Sequence, residues 1–287
     1  MTISTKIRTL QLPTGGDIPV LGQGTWRMGE NLAKREAEIA ALRYGLDLGM
    51  TLIDTAEMYG EGEAERLVGE AIAGRRQEVF LVSKVYPHNA TLKGTPAACH
   101  RSLRRLGTDY IDLYLLHWRG EVPVAETLAA FQSLKAAGSI RAYGVSNFDL
   151  ENMVEAHDLR GGELIVTDQV LYNLAHRSIE WDLLPWCQER GIPIIAYSPI
   201  EHAPREQKTM FSHPTLLKIA VEQQATPAQV ALAWVLHQRV AAIPKAVDPQ
   251  HVRQNRAALD LSLTKQDLKE LDRAFPPPSR KVPLAIR

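Results

Sequence analysis

Four polar residues follow short apolar runs in a way that could do chemistry. Asp54 closes the run Thr51-Leu52-Ile53, and Tyr59 lies five residues beyond it. Lys84 closes Val79-Phe80-Leu81-Val82-Ser83, and His117 closes the run 110–116. Singly, each has a plainer role: a solvated loop charge, a packed ring, a hydrogen-bonded structural histidine. Together they are the groups that carbonyl reduction requires, because hydride must reach carbon while a proton reaches oxygen. An unperturbed tyrosine, with a pKa of about 10, exchanges protons poorly near neutrality. A nearby ammonium should lower that value, a carboxylate should hold the ammonium, and an imidazole can bind the carbonyl oxygen.

The elements that would position them alternate along the chain. Strand-length apolar runs fall at 20–22, 51–53, 79–82, 110–116, 140–145, 164–167, 193–197 and 241–243. Segments with helical spacing lie between them at 34–48, 63–73, 96–106, 124–137, 150–157, 179–190 and 227–237, several stopped by Gly49, Gly74, Gly107, Gly138 or Gly191. Apolar strands separated by helices read as parallel strands covered on both faces. Eight such units predict an α/β fold, a (β/α)8 TIM barrel, whose active sites sit at the C-terminal ends of the strands. Before them, 7–12 and 17–19 flank Pro13-Thr14-Gly15-Gly16, the pattern of a hairpin. No linker divides the chain. The expected organisation is one domain: hairpin cap 1–19, barrel 20–260, C-terminal helix and tail 261–287.

Other chemistries lack their motifs. Gly22-Gln23-Gly24-Thr25-Trp26-Arg27 starts like a dinucleotide fingerprint but has Arg27 in place of the third glycine and no helix directly after it. No nucleophile elbow, zinc-protease or Walker sequence occurs. Lys plus Arg and Asp plus Glu are equal at 33 each, which offers no field for nucleic acid. Residues 230–236, the most apolar stretch, are too few to cross a bilayer. The first 13 residues lack a secretory pattern, and Cys99 and Cys187 match no metal or redox spacing, so a cytoplasmic protein without metal or membrane association is expected. Its oligomeric state is expected to be monomer or weak homo-oligomer.

The segment from Gly49 through Asp54 and Tyr59 to Gly60 resembles the first signature of the aldo-keto reductase family. Val82-Ser83-Lys84 and Leu115-Leu116-His117-Trp118 match its next two. The resemblance runs from Leu21-Gly22-Gln23-Gly24-Thr25 to Asn255, and among bacterial members it is strongest to those that reduce methylglyoxal and related small aldehydes. It implies a catalytic tetrad of Asp54, Tyr59, Lys84 and His117 with Tyr59 as general acid, and NADPH as cofactor. Ser146, Asn147 and Gln169 would hold the nicotinamide carboxamide, and Tyr197 would stack on its ring. Gly24, Thr25, Trp26, Asp54, Ser198 and Ile200 would also meet the cofactor. Lys245, Ala246, Val247, Gln254 and Asn255 would take its adenosine-phosphate end. His251 stands where many members have arginine, a weaker grip on a 2′-phosphate that leaves some tolerance of NADH. Trp26, Tyr86 and Trp118 would line the substrate pocket with Tyr59 and His117.

Short connections after His117 and at the tail predict an open pocket for small carbonyls. The charge-rich stretch 199–213 predicts a mobile loop. Two other functions use the same residues: an alcohol or sugar dehydrogenase running oxidatively, and a non-enzymatic nicotinamide-binding regulatory subunit. The intact set of four argues against the latter.

Overall fold

The expected hairpin forms: β1 (Thr9–Gln11) pairs antiparallel with β2 (Asp17–Pro19). The computed structural model describes residues 7–201 and 203–286. Residues 1–6, part of the stretch read as lacking a secretory pattern, lie outside them.

Eight parallel strands follow: β3 (Gly22–Gly24), β4 (Leu52–Asp54), β5 (Phe80–Val85), β6 (Ile111–Leu116), β7 (Ile140–Ser146), β8 (Ile165–Leu171), β9 (Ile194–Tyr197) and β10 (Ala241–Ala242). Each pairs with its neighbours in chain order. The barrel closes where β10 returns to the first strand. Leu21 bridges Ala242, the Ala242 N–H donates to Val20 O at 2.8 Å, and the Gly24 N–H donates to Pro244 O at 3.1 Å. A Cβ on Gly24 would sit 2.8 Å from Ile243 O, so closure at this seam requires glycine. The first barrel strand was expected at 20–22. Val20 and Leu21 instead meet β10, while the ladder to β4 starts at Gly22, inside a glycine pair that does not read as strand.

Outside the strands run α1 (Arg35–Asp47), α2 (Glu63–Ala71), α3 (Gly94–Leu106), α4 (Val124–Ala136), α5 (Leu150–Asp158), α6 (Leu183–Glu189), α7 (Pro204–Phe211), α8 (Pro214–Glu222), α9 (Pro227–His237), α10 (Pro249–Ala257) and α11 (Lys265–Ala274). The most apolar stretch is the buried middle of α9, which Thr226 and Gln229 cap reciprocally. The segment expected as a mobile loop at 199–213 contains α7 and ends where α8 begins. Pro204 and Pro214 each occupy a first helical turn, where the missing N–H costs nothing.

Two apolar clusters divide the core. The larger packs strands against helices. The smaller fills the barrel interior with Leu52, Val82, Leu113, Leu115 and Ile195, and Leu12 and Ile18 of the hairpin region plug its lower end.

One irregularity matters for the site. Tyr143 pairs with Ile165 but Val145 pairs with Asp168, so β8 carries one extra residue against β7. Such a bulge changes the phase of a strand. Val166 faces the interior below it. Above it Gln169, not Asp168, faces inward. The backbones are close here, since a Cβ on Gly144 would lie 2.5 Å from Thr167 O.

Candidate active site

Asp54 ends β4, Lys84 lies near the end of β5, and His117 follows β6 directly. Side chains two apart on a strand share a face, so these three continue the interior rows begun by Leu52, Val82 and Leu115. Tyr59 opens the short 3-10 turn Tyr59–Gly62 after β4. The four residues expected to act together do meet.

Lys84 is wholly buried. Its ammonium donates to Asp54 Oδ1 at 2.7 Å, Thr55 O at 2.9 Å and Tyr59 Oη at 3.2 Å, which uses all three protons. The Tyr59 oxygen therefore accepts from Lys84 and keeps its own O–H for another partner. Gln169 Nε2 donates to the other Asp54 oxygen, Oδ2, at 2.8 Å. The carboxylate that holds the lysine is thus itself held.

Electrostatics differ from the simple expectation. Lys84 was expected to draw the Tyr59 phenol down. Burial instead holds it well above the usual tyrosine value, and the Asp54 charge adds to that. Burial also pulls Lys84 below the usual lysine value, against Asp54 and Glu65. His117 is held well below the usual imidazole value, first by burial and then by Lys84. Its ring is neutral. Nδ1 is buried without a hydrogen-bond partner among the described residues, so a ligand can meet the ring only through Nε2. Tyr59 and His117 stand edge to face, ring centres 5.7 Å apart.

A second polar set surrounds the first. The Asn147 amide donates to His117 O at 3.1 Å and to Ser146 Oγ at 3.2 Å, and its Oδ1 accepts from Tyr197 Oη at 2.9 Å. Ser146 Oγ donates to Gln169 O at 2.7 Å. Asn147 has φ +59°, a left-handed conformation that asparagine tolerates better than most residues. The cap of α5 is Asp149, which accepts from the Asn152 N–H, so Ser146 and Asn147 are free of that structural duty. Thr25 Oγ1 donates to Asp54 O at 2.9 Å and brings the Gly24–Trp26 segment to the same rim.

The remaining expected residues lie on the loops and helices that follow the strands. Trp118 lies edge-on to Tyr86 at 5.4 Å and 5.0 Å from the His117 ring, so all three share one wall. Trp26 is more exposed, with the Arg27 guanidinium 4.4 Å from its ring centre. Ser198 and Ile200 lie between β9 and α7. Lys245, Ala246 and Val247 lie between β10 and α10, with Lys245 exposed. His251 stands exposed in the first turn of α10, while Gln254 is half-buried and Asn255 buried farther along it. The Gly24–Pro244 contact sets the Lys245 segment beside Thr25 and Trp26.

Two features escaped the sequence. One is the Gln169–Asp54 bond, hidden because the bulge that turns Gln169 inward is a backbone event. The other is Glu57, which is buried and accepts from the Tyr86 N–H at 2.8 Å and Asn89 Nδ2 at 3.0 Å. Its place two residues before Tyr59 was its only signal.

Comparison with known proteins agrees with this geometry. Residues 20–275 match the aldo/keto reductase family. The chain is 50% identical over 278 residues to methylglyoxal reductase YeaE of Escherichia coli K12, covering 96% of this chain and 98% of that protein. It is 30% identical to aldo-keto reductase family 1 member A1 of Homo sapiens, covering 91% and 87% respectively. Among solved structures, the aldo-keto reductase of Klebsiella pneumoniae in complex with NADPH superposes with a TM-score of 0.95 at 49% identity, covering 98% of this chain and all of that one. The chain belongs to the aldo/keto reductase family.

Proposed function

We propose that this protein reduces small aldehydes and ketones, methylglyoxal-like dicarbonyls among them, with NADPH as cofactor and Tyr59 as general acid. The observation that carries the reading is the Lys84 ammonium, placed between Asp54 and the Tyr59 oxygen with every proton committed. That arrangement leaves the Tyr59 Oη proton available for donation at the barrel mouth. The neutral His117 can offer Nε2 to the same carbonyl oxygen, so two groups converge on the atom where charge develops.

The chain fits a nicotinamide dinucleotide. Ser146, Asn147 and Gln169 present amide and hydroxyl groups beside Tyr197, as a carboxamide and ring require. Lys245 stands exposed beside the start of α10, where backbone N–H groups and a cation suit phosphate. The relative crystallised with NADPH supports that choice. When bound, the cofactor supplies the hydride. His251 in the first turn of α10 would meet the 2′-phosphate more weakly than a guanidinium would.

Burial holds the phenol protonated near neutral pH, the form that can donate to a carbonyl oxygen. The oxidative reading uses the same residues, and the direction of net turnover follows the reaction's equilibrium and the reactant levels. The test is a panel of methylglyoxal, diketones, aromatic aldehydes and aldoses, each with NADPH and with NADH, on wild type and Tyr59→Phe. Wild type should turn over the dicarbonyls with NADPH, and the variant should keep its NADPH affinity while turnover falls on the order of a hundredfold or more. Near-native turnover in the variant would remove Tyr59 as the acid. No activity on any carbonyl would remove the reductase reading.

A further inference from the structure

Glu57 does not touch the tetrad side chains, yet it is tied to everything around them. It lies on the β4–α2 loop two residues before Tyr59, and its own N–H donates to Lys84 O at 3.4 Å. Oε1 accepts from the Tyr86 N–H at 2.8 Å and from Asn89 Nδ2 at 3.0 Å, both on the β5–α3 loop. Oε2 lies 3.5 Å from Arg101 Nη2 and 4.0 Å from Arg105 Nη2. Arg105 Nε in turn donates to the fully buried Glu65 at 2.6 Å, and Glu65 accepts from Ser83 Oγ at 2.6 Å. One carboxylate therefore couples the loop that carries Tyr59 to the loop that carries Tyr86.

Tyr86 has left the β5 ladder: its carbonyl accepts from the Asn89 N–H at 2.9 Å within its own loop, and its N–H is tied only to Glu57. Its ring stands 6.5 Å from His117 and 5.4 Å from Trp118. A backbone shift at Tyr86 would move that wall relative to Tyr59. A charge-assisted hydrogen bond from the N–H to a buried carboxylate is a strong way to prevent it.

We propose that Glu57 is a positioning residue that fixes the Tyr86 wall against the Tyr59 acid and so confines the pocket to compact carbonyls. The proposal rests on the reading of Tyr86 and Trp118 as pocket residues. It implies a particular kinetic signature. Loosening the wall should weaken the seating of a small dicarbonyl, whereas the proton donor and its lysine remain in place.

The test compares Glu57→Ala and Glu57→Gln with wild type on methylglyoxal and on a larger aromatic aldehyde, with NADPH. Glutamine keeps an oxygen acceptor at Oε1 and gives up the charge and the Oε2 acceptor that faces Arg101 and Arg105. The alanine variant should raise KM for methylglyoxal about tenfold with kcat within about twofold, and glutamine should return KM to within about threefold of wild type. The alanine variant should also narrow the preference for methylglyoxal over the aromatic aldehyde. Should alanine fail to fold, Glu57→Asp carries the same test. It keeps the charge but withdraws the acceptor from the Tyr86 N–H, so KM must rise. An unchanged KM in the alanine or aspartate variant overturns the proposal, as does a fall in kcat alone or a glutamine variant as impaired as alanine. Tyr86→Ala separates the two layers of argument. If its KM for methylglyoxal is native, the pocket assignment of Tyr86 fails; if it rises while the Glu57 variants stay native, only the role of Glu57 fails. Wild-type turnover of methylglyoxal reports independently on the reductase reading.

Discussion

Strands β4, β5 and β6 deliver Leu52, Val82, Leu113 and Leu115 into the lower half of the barrel interior. Two positions farther along, the same strands deliver Asp54, Lys84 and His117 into the upper half. The lower half is sealed by Leu12 and Ile18, and its side chains meet through apolar contact. The upper half is equally buried and is held by specific bonds, in which each charge has a named partner. The difference teaches that this barrel needs no separate domain for its chemistry. Period-two alternation carries one row of side chains from core to site, and the two ends fail in different ways when altered.

The largest effect should come from the upper end. Lys84→Met removes the ammonium that anchors the Tyr59 oxygen, and turnover should fall by several orders of magnitude. It also leaves Asp54 buried with only Gln169 for company. Breaking a buried pair from one side typically costs about 3–5 kcal/mol of stability. The double variant Asp54→Asn/Lys84→Met removes both charges. It should regain most of that stability in denaturant titration while remaining inactive. Recovery of activity in the double variant would show that the pair serves only the fold.

The lower end should answer in the opposite currency. Leu113→Ala opens a cavity in the sealed interior and should cost about 2–5 kcal/mol. Where the variant remains folded, its kcat and KM for methylglyoxal should stay within about twofold of wild type, since no bond in the upper network is touched. A large loss of turnover without a matching loss of stability would mean that the two halves are mechanically coupled.

How much of this was legible in the sequence depends on what each feature is made of. That Asp54, Lys84 and His117 come together was legible because they are side-chain types at strand ends, and alternation carries that information. The barrel order was legible for the same reason. Helices α7 and α8 were not: the charge of 199–213 reads as loop although Pro204 and Pro214 each start a helix there or directly after it. Glu57 looked like any loop acid, since nothing in its spacing says that its carboxylate is buried. The upward shift of Tyr59 was hidden as well. Sequence names the neighbouring lysine, but not the burial that raises the phenol. The bulge in β8 left no trace at all in residue types.

That bulge supplies the smallest expected effect and the finest division between bonded and unbonded polar groups. By turning Gln169 inward to Asp54, it turns Asp168 outward into the helix layer, near Cys187 and the Phe148 backbone. Asp168 is wholly buried, and neither carboxyl oxygen has a well-formed hydrogen bond among the described residues. Burial raises its pKa well above the usual value, and the Asp149 charge adds to this while the Phe148 N–H opposes it. The folded protein thus keeps this proton at pH values where the unfolded chain, with an aspartate pKa of about 3.9, has lost it. Stability from this group is complete below the unfolded value and is lost as pH rises toward the folded one. Asp168→Asn has the same shape and no proton to lose. Its melting temperature should differ little from wild type near pH 4 and exceed it at pH 8, with the gap widening between. Turnover should be nearly unchanged, because Gln169 still reaches Asp54. A gap independent of pH would show that Asp168 does not titrate differently on folding. A variant less stable than wild type at pH 8 would mean that the carboxylate is ionised and bonded, which would place it among the satisfied charges of the upper barrel.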